Sequence, residues 1–141
     1  TRPSHMEVRV MPRQIVITAG RVRVLAELDD TPAAAAIGEA LPIVSEANRW
    51  GGEVYFSIPV EVDLEEGARE VLQAGELACW PAGNVLCIFF GPTPASIGNE
   101  IRAASAVNVV GRVCGDVEPL WRITDGMAVS VTVAQKDSAV P

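Results

Sequence analysis

Glu53-Val54-Tyr55-Phe56-Ser57-Ile58-Pro59-Val60 alternates at every step, with Val54, Phe56, Ile58 and Val60 on one side and Glu53, Tyr55, Ser57 and Pro59 on the other. Successive Cβ atoms of a strand point to opposite faces of a sheet, so a period of two predicts a strand with one buried face. If the apolar set is core, the Glu53 carboxylate and the Tyr55 phenol share the other face. Just upstream, Asn48-Arg49-Trp50-Gly51-Gly52 brings turn glycines to the strand entrance. Downstream, 77–80 and 85–90 are two apolar runs joined by Pro81-Ala82-Gly83-Asn84, a turn by composition, and the second run is apolar on both faces.

Working outward, Ile15-Val16-Ile17 and the run 21–28 flank Ala19-Gly20 as a hairpin, and 107–113 and 127–134 supply two more strands. One helix interrupts them, at about 31–41. Thr31 is its N-cap and Pro32 takes the first position, where a missing N–H costs nothing; Ile37 and Leu41 lie four apart, and Pro42 is the stop. Residues 116–124 read as a short helical turn, and 63–74 and 92–104 as loops. Many strands and one helix without βαβ alternation predict a mainly β fold, an antiparallel closed or nearly closed barrel plugged by that helix, with Ile37 buried against its open end. Ser4-His5-Met6 has the look of a cloning junction, so 1–5 are expected to be foreign, 6–136 a single domain starting natively at Met6 or Met11, and 137–141 a frayed tail.

Composition narrows the function. The chain has 141 residues, 49% of them hydrophobic, enough for one domain with a sizeable core. No stretch approaches the roughly 20 apolar residues of a membrane span. The formal charge is −7 and Lys136 is the single lysine, which argues against nucleic acid as a partner. With His5 assigned to the junction, the native chain has no histidine, which removes Ser-His-Asp and Cys-His machinery and every His-containing metal site. Three cysteines without a Cys-x-x-Cys spacing or a signal peptide suggest reduced thiols and a cytoplasmic location. Gly51-Gly52 precedes a strand, not a helix, so no phosphate loop is formed, and neither a cofactor nor a metal is expected.

The aromatic residues are concentrated. All three Phe, the only Tyr and two of the three Trp fall in 48–56 and 80–94, in a chain that is 5% aromatic. One shallow aromatic pocket is the expectation, with Arg49, Trp50, Tyr55, Trp80, Phe90 and Asn108 as ligand-binding residues and a peptide or a small planar or anionic molecule as ligand. Were the pocket an enzyme site, for proline isomerisation or for a small-molecule isomerisation or hydrolysis, Arg49 is the electrophile and Glu53 or Tyr55 the proton donor or acceptor. Each residue also has a scaffold reading. Arg49 pairs with Glu53 at a strand mouth, the Trp rings pack over a barrel end, Asn108 is a satisfied buried amide, and Cys87, flanked by Leu86 and Ile88, is inert packing. Of Phe89 and Phe90, one must line the core, and Phe89 is assigned to it.

Asn48-Arg49-Trp50-Gly51, Glu53-Val54-Tyr55-Phe56 and Cys87-Ile88-Phe89-Phe90-Gly91-Pro92-Thr93 resemble the signature segments of a bacterial and archaeal family of cyclophilin-like proteins of unassigned function, a likeness running from about Ile15 to Val133. A weaker similarity to the cyclophilins proper, the peptidyl-prolyl isomerases, follows the same order. Gly75-Glu76-Leu77-Ala78-Cys79 resembles their Gly-x-Leu-Ser-Met, Cys87-Ile88-Phe89-Phe90 their Ser-Gln-Phe-Phe, and Val109-Val110-Gly111-Arg112-Val113 their Val-Phe-Gly-Lys-Val. The resemblance implies a closed eight-stranded barrel capped by helices, with Arg49 in the place of a cation aimed at a prolyl nitrogen and Phe90 as a pocket wall. The departures weigh against isomerase activity. Ile88 stands where cyclophilins carry Gln, no Gln-Gly-Gly-Asp follows the Arg, and no His precedes the Val-Phe-Gly segment.

Overall fold

The computed structural model describes residues 13–134, so the expectations for 1–5 and 137–141 lie outside the described residues. Ten strands and one α-helix follow in chain order: β1 Arg13–Ala19, β2 Val22–Leu28, α1 Pro32–Ala40, β3 Ile43–Glu46, β4 Asn48–Trp50, β5 Glu53–Ser57, β6 Arg69–Leu72, β7 Glu76–Trp80, β8 Val85–Phe89, β9 Ile101–Cys114 and β10 Ala128–Val133. A 3-10 turn at Glu118–Arg122 occupies the predicted helical turn. The β1–β2 hairpin forms as read, turning through Gly20 at a φ of +59°.

The helix also matches its sequence. Thr31 is extended, and its hydroxyl accepts from the Ala34 N–H at 3.1 Å. Ala33, Ala34, Ile37 and Gly38 are buried against the main core. Thr31→Ala is expected to lower unfolding free energy by about 0.5–2 kcal/mol, read from urea melts, because it orphans one amide of the first turn. A loss below that range would show the second acceptor at this terminus, Glu65 Oε2 on the Ala33 N–H at 2.8 Å, to be sufficient alone.

The expected closed eight-stranded barrel is not what forms. The strands make one ten-stranded antiparallel sheet in the order β3-β10-β1-β2-β9-β7-β8-β5-β4, with β6 added on β9, and its ends are β3 and β4. The reason lies in the chain between them. Ile43–Glu46 pairs only with β10, and Asn48–Trp50 only with β5, with the hand-over at Ala47, whose N–H and C=O bond Met127 and Gly126. No ladder joins β3 to β4 among the described residues, so the strand order has two ends. The sheet curls instead around a core that includes Ile15, Ile17, Leu28, Ile37, Phe56, Leu86, Ile88 and Phe90.

A second apolar layer lies on the other face. Tyr55, Leu72, Ala78, Val85, Cys87, Phe89, Ala103 and Val107 form it, from β5, β6, β7, β8 and β9. It exists because β9 is long. Its first half pairs with β6, through Arg69 opposite Val107 and Leu72 opposite Ile101, and its second half pairs with β7 and β2. The loops expected over 63–74 and 92–104 thus contain β6 and the start of β9. Both are rich in charged or small residues, Arg69, Glu70, Arg102, Ala103 and Ala104, which carry little strand signal in isolation.

Candidate ligand-binding site

A cavity of about 190 Å³ opens in this second layer, lined from β4 by Trp50, from β5 by Glu53 and Tyr55, from β7 by Trp80, from β8 by Val85, Cys87 and Phe89, and from β9 by Ala103, Ala104, Ser105 and Val107. Strand register explains the set. Trp50 pairs with Glu53, Glu53 with Phe89, Tyr55 with Cys87, Ala78 with Cys87, and Trp80 with Val85, so one face of four adjacent strands carries all of them. The opposite parity, Val54, Phe56, Leu86, Ile88, Leu77 and Cys79, is buried in the main core. Trp80 stands at the rim, 36% exposed, with its ring over Gly83 of the following turn.

Glu53 is the one carboxyl in this apolar cavity, and it is only 6% exposed. Burial pushes its pKa up to about 7, an effect partly offset by the Cys87 thiol, which donates to it. The thiol is pushed far above its ordinary value, first by its own burial and then by the neighbouring Glu53 charge. Cys87 is therefore protonated at neutral pH and unsuited to nucleophilic chemistry. Cys79 is opposite Leu86 and Cys87 opposite Ala78, so the two thiols point to opposite faces and are not a disulfide pair.

Arg49 does not reach this cavity. It pairs with Val54, which turns its side chain to the other face of the hairpin from Trp50 and Glu53. Its guanidinium donates to the carbonyls of Trp121 at 3.0 Å and Ile123 at 2.8 Å, and lies 5.1 Å from the Trp121 ring and 5.5 Å from the Phe90 ring. Phe90 belongs to the main core and meets Trp121 edge to face at 4.8 Å. Arg49 forms no ion pair with Glu53 among the described residues. Arg49 and Phe90 lie together outside the cavity, as a clasp that ties the β4 end to the 121–125 segment. Arg49→Ala is expected to cost about 1–3 kcal/mol in denaturant unfolding while leaving ligand binding at the cavity unchanged. Loss of binding in a folded variant would return Arg49 to the site.

The comparisons with known proteins bear on this geometry. The cyclophilin-like family model matches residues 13–132. The chain belongs to the cyclophilin-like family. The solution structure of a hypothetical protein from Archaeoglobus fulgidus is similar, with 41% sequence identity, a TM-score of 0.76, and coverage of 87% of this chain and 95% of that one. A comparison with curated proteins returns no match. No helix among the described residues is long and apolar enough to cross a membrane.

Within this cyclophilin-like sheet, the residues expected around one concavity divide three ways. Trp50, Glu53, Tyr55 and Trp80 line the cavity; Arg49 and Phe90 form the clasp; Asn108 is structural. Asn108 is 1% exposed, accepts from the Glu65 N–H at 2.7 Å and donates to the Asp63 carbonyl at 3.0 Å, so both ends of its amide hold the 63–65 loop. Glu65 in turn bonds the helix N-terminus. Glu76 is buried and clamped by both terminal nitrogens of Arg69 at 2.7 and 3.1 Å. Of the Phe pair, it is Phe89 that lines the cavity. Sequence parity links Phe89 with Cys87 and Val85, but only the β5–β8 register says that this parity shares a face with Glu53. Ala103, Ala104 and Ser105 carried no signal at all.

Proposed function

We propose that this cyclophilin-like protein binds a small molecule in the Trp50–Glu53–Tyr55–Trp80–Phe89 cavity and is not an efficient prolyl isomerase. The observation that carries the reading is a single buried carboxyl, Glu53, in an otherwise apolar aromatic cavity, the arrangement of a ligand site with one polar group for orientation. The volume favours a molecule of about one ring, since a cavity of ~150 Å³ holds benzene. An extended peptide has no cation to meet, because the Arg49 guanidinium is occupied by carbonyls on the other face. Ile88, where an amide would hold the peptide backbone, faces the main core. Loss of such positioning costs orders of magnitude in rate.

Two measurements test this. Trp50 and Trp80 flank the cavity, so saturable quenching of tryptophan fluorescence by one-ring ligands is expected, and it should weaken in Trp80→Ala. Proline-peptide assays should show no appreciable acceleration. A robust rate that vanishes in folded Arg49→Ala would overturn the reading. A second reading, a proton-transfer enzyme on the same cavity, is favoured by one observation: Glu53 titrates near neutrality, where a general acid or base works best, with the Tyr55 phenol on the same face.

A further inference from the structure

We propose that the ligand of this cavity is a small organic ammonium ion, its charge set against the Glu53 carboxylate and its apolar body against Trp50, Tyr55, Trp80 and Phe89. The inference rests on the ligand-binding reading and adds the sign of the ligand's charge. Its basis is that no cation is paired with Glu53 among the described residues. The ion pairs among the described residues, Arg69–Glu76, Arg102–Glu70 and Arg102–Glu100, do not include it.

Each element around the cavity was a possible source of a counter-charge, and none supplies one. β4 contributes Trp50, while Arg49 on the same strand faces away. β5 contributes Tyr55, β7 Trp80, and β8 Val85, Cys87 and Phe89. β9 contributes Ala103, Ala104, Ser105 and Val107, while Arg102 is held by Glu70 and Glu100 and Arg112 is placed opposite Glu76 and Glu27. The titratable groups facing Glu53 are thus Tyr55 and Cys87, and neither is a cation. A buried carboxylate with no counter-charge is costly, and a cation brought in from solvent relieves that cost directly. The indole, phenol and phenyl rings present electron-rich faces that attract the same charge. An anion would be repelled by Glu53, and a neutral molecule would leave the carboxylate unpaired.

Benzylamine and benzyl alcohol have nearly the same shape and differ in charge, which makes them the probes. Titration calorimetry on the full chain should show benzylamine binding at least about tenfold tighter than benzyl alcohol at about pH 8.5, where Glu53 is ionised. Between about pH 8.5 and about pH 5.5 the carboxyl takes up a proton while the primary ammonium stays mostly charged, so benzylamine should weaken by about tenfold or more. Benzyl alcohol should not weaken. Glu53→Gln, checked for folding by circular dichroism, should lose the preference for the amine over the alcohol; the pH series on the unaltered protein decides the matter without that variant. Equal affinity for the two probes at high pH overturns the charge assignment and leaves the binding reading standing. No binding of either probe up to millimolar concentration overturns both.

Discussion

Gly52→Val is expected to lower the unfolding free energy by about 3 kcal/mol or more and the Tm by about 10 °C. A Cβ at Gly52 would fall inside the contact shell of the Gly91 Cα, carbonyl carbon and oxygen, all of them backbone. That backbone has nowhere to go. The Gly52 N–H donates to the Pro92 carbonyl at 2.8 Å, and the Gly52 carbonyl accepts from Phe90 at 2.8 Å and from Gly91 at 3.1 Å. These bonds continue the β5–β8 ladder past Phe89, so a displaced Gly91 also shifts the strand that carries Phe89 and Cys87. Urea unfolding and a thermal melt measure the loss, with Gly67→Ala as the control, since no atom lies within 4 Å of a Cβ there. A loss below about 1 kcal/mol at Gly52 would mean that the β4–β5 turn and the 90–92 segment are not in contact.

The same close approach explains what could be read in the sequence and what could not. Local signals were sufficient wherever a residue's role is decided by its chain neighbours. Thr31 and Pro32 start the helix, Ala19-Gly20 marks the first hairpin, and the alternation of 53–58 separates Val54 and Phe56 from Glu53 and Tyr55. That parity alone places Glu53 and Tyr55 on one face of the strand. Roles decided by strand pairing were out of reach. Whether Phe89 or Phe90 shares that face depends on the register of β8 against β5, and whether Arg49 does depends on a two-residue turn at Gly51-Gly52. A slip of one residue in either would exchange clasp and cavity. Closure of the sheet was equally non-local. It fails at Ala47, a residue whose own sequence context says nothing about the change of partner from β10 to β5.

Glu53→Gln is expected to stabilise the protein at about pH 8 by about 3 kcal/mol more than it does near pH 4. The carboxyl's ordinary pKa of 4.5 is raised to about 7 in the folded protein, mainly because burial penalises the charged form. Below about 4.5 folded and unfolded chains both hold the proton, and the group contributes nothing to the balance. Between about 4.5 and about 7 the unfolded chain releases the proton while the folded one keeps it, so stability falls as pH rises. Above about 7 both are ionised and the full penalty remains. Glutamine keeps the shape and an oxygen that can accept from the Cys87 thiol but carries no charge, and any cost of its added N–H groups is the same at both pH values, so it cancels from the difference. Denaturant unfolding of both proteins at the two pH values measures it. A pH-independent difference would mean that water reaches the carboxyl and that Glu53 ionises as an ordinary glutamate. The predicted pH dependence would instead show a fold that carries an unpaired charge against its own stability, at the one point in the cavity where a cation from outside can relieve it.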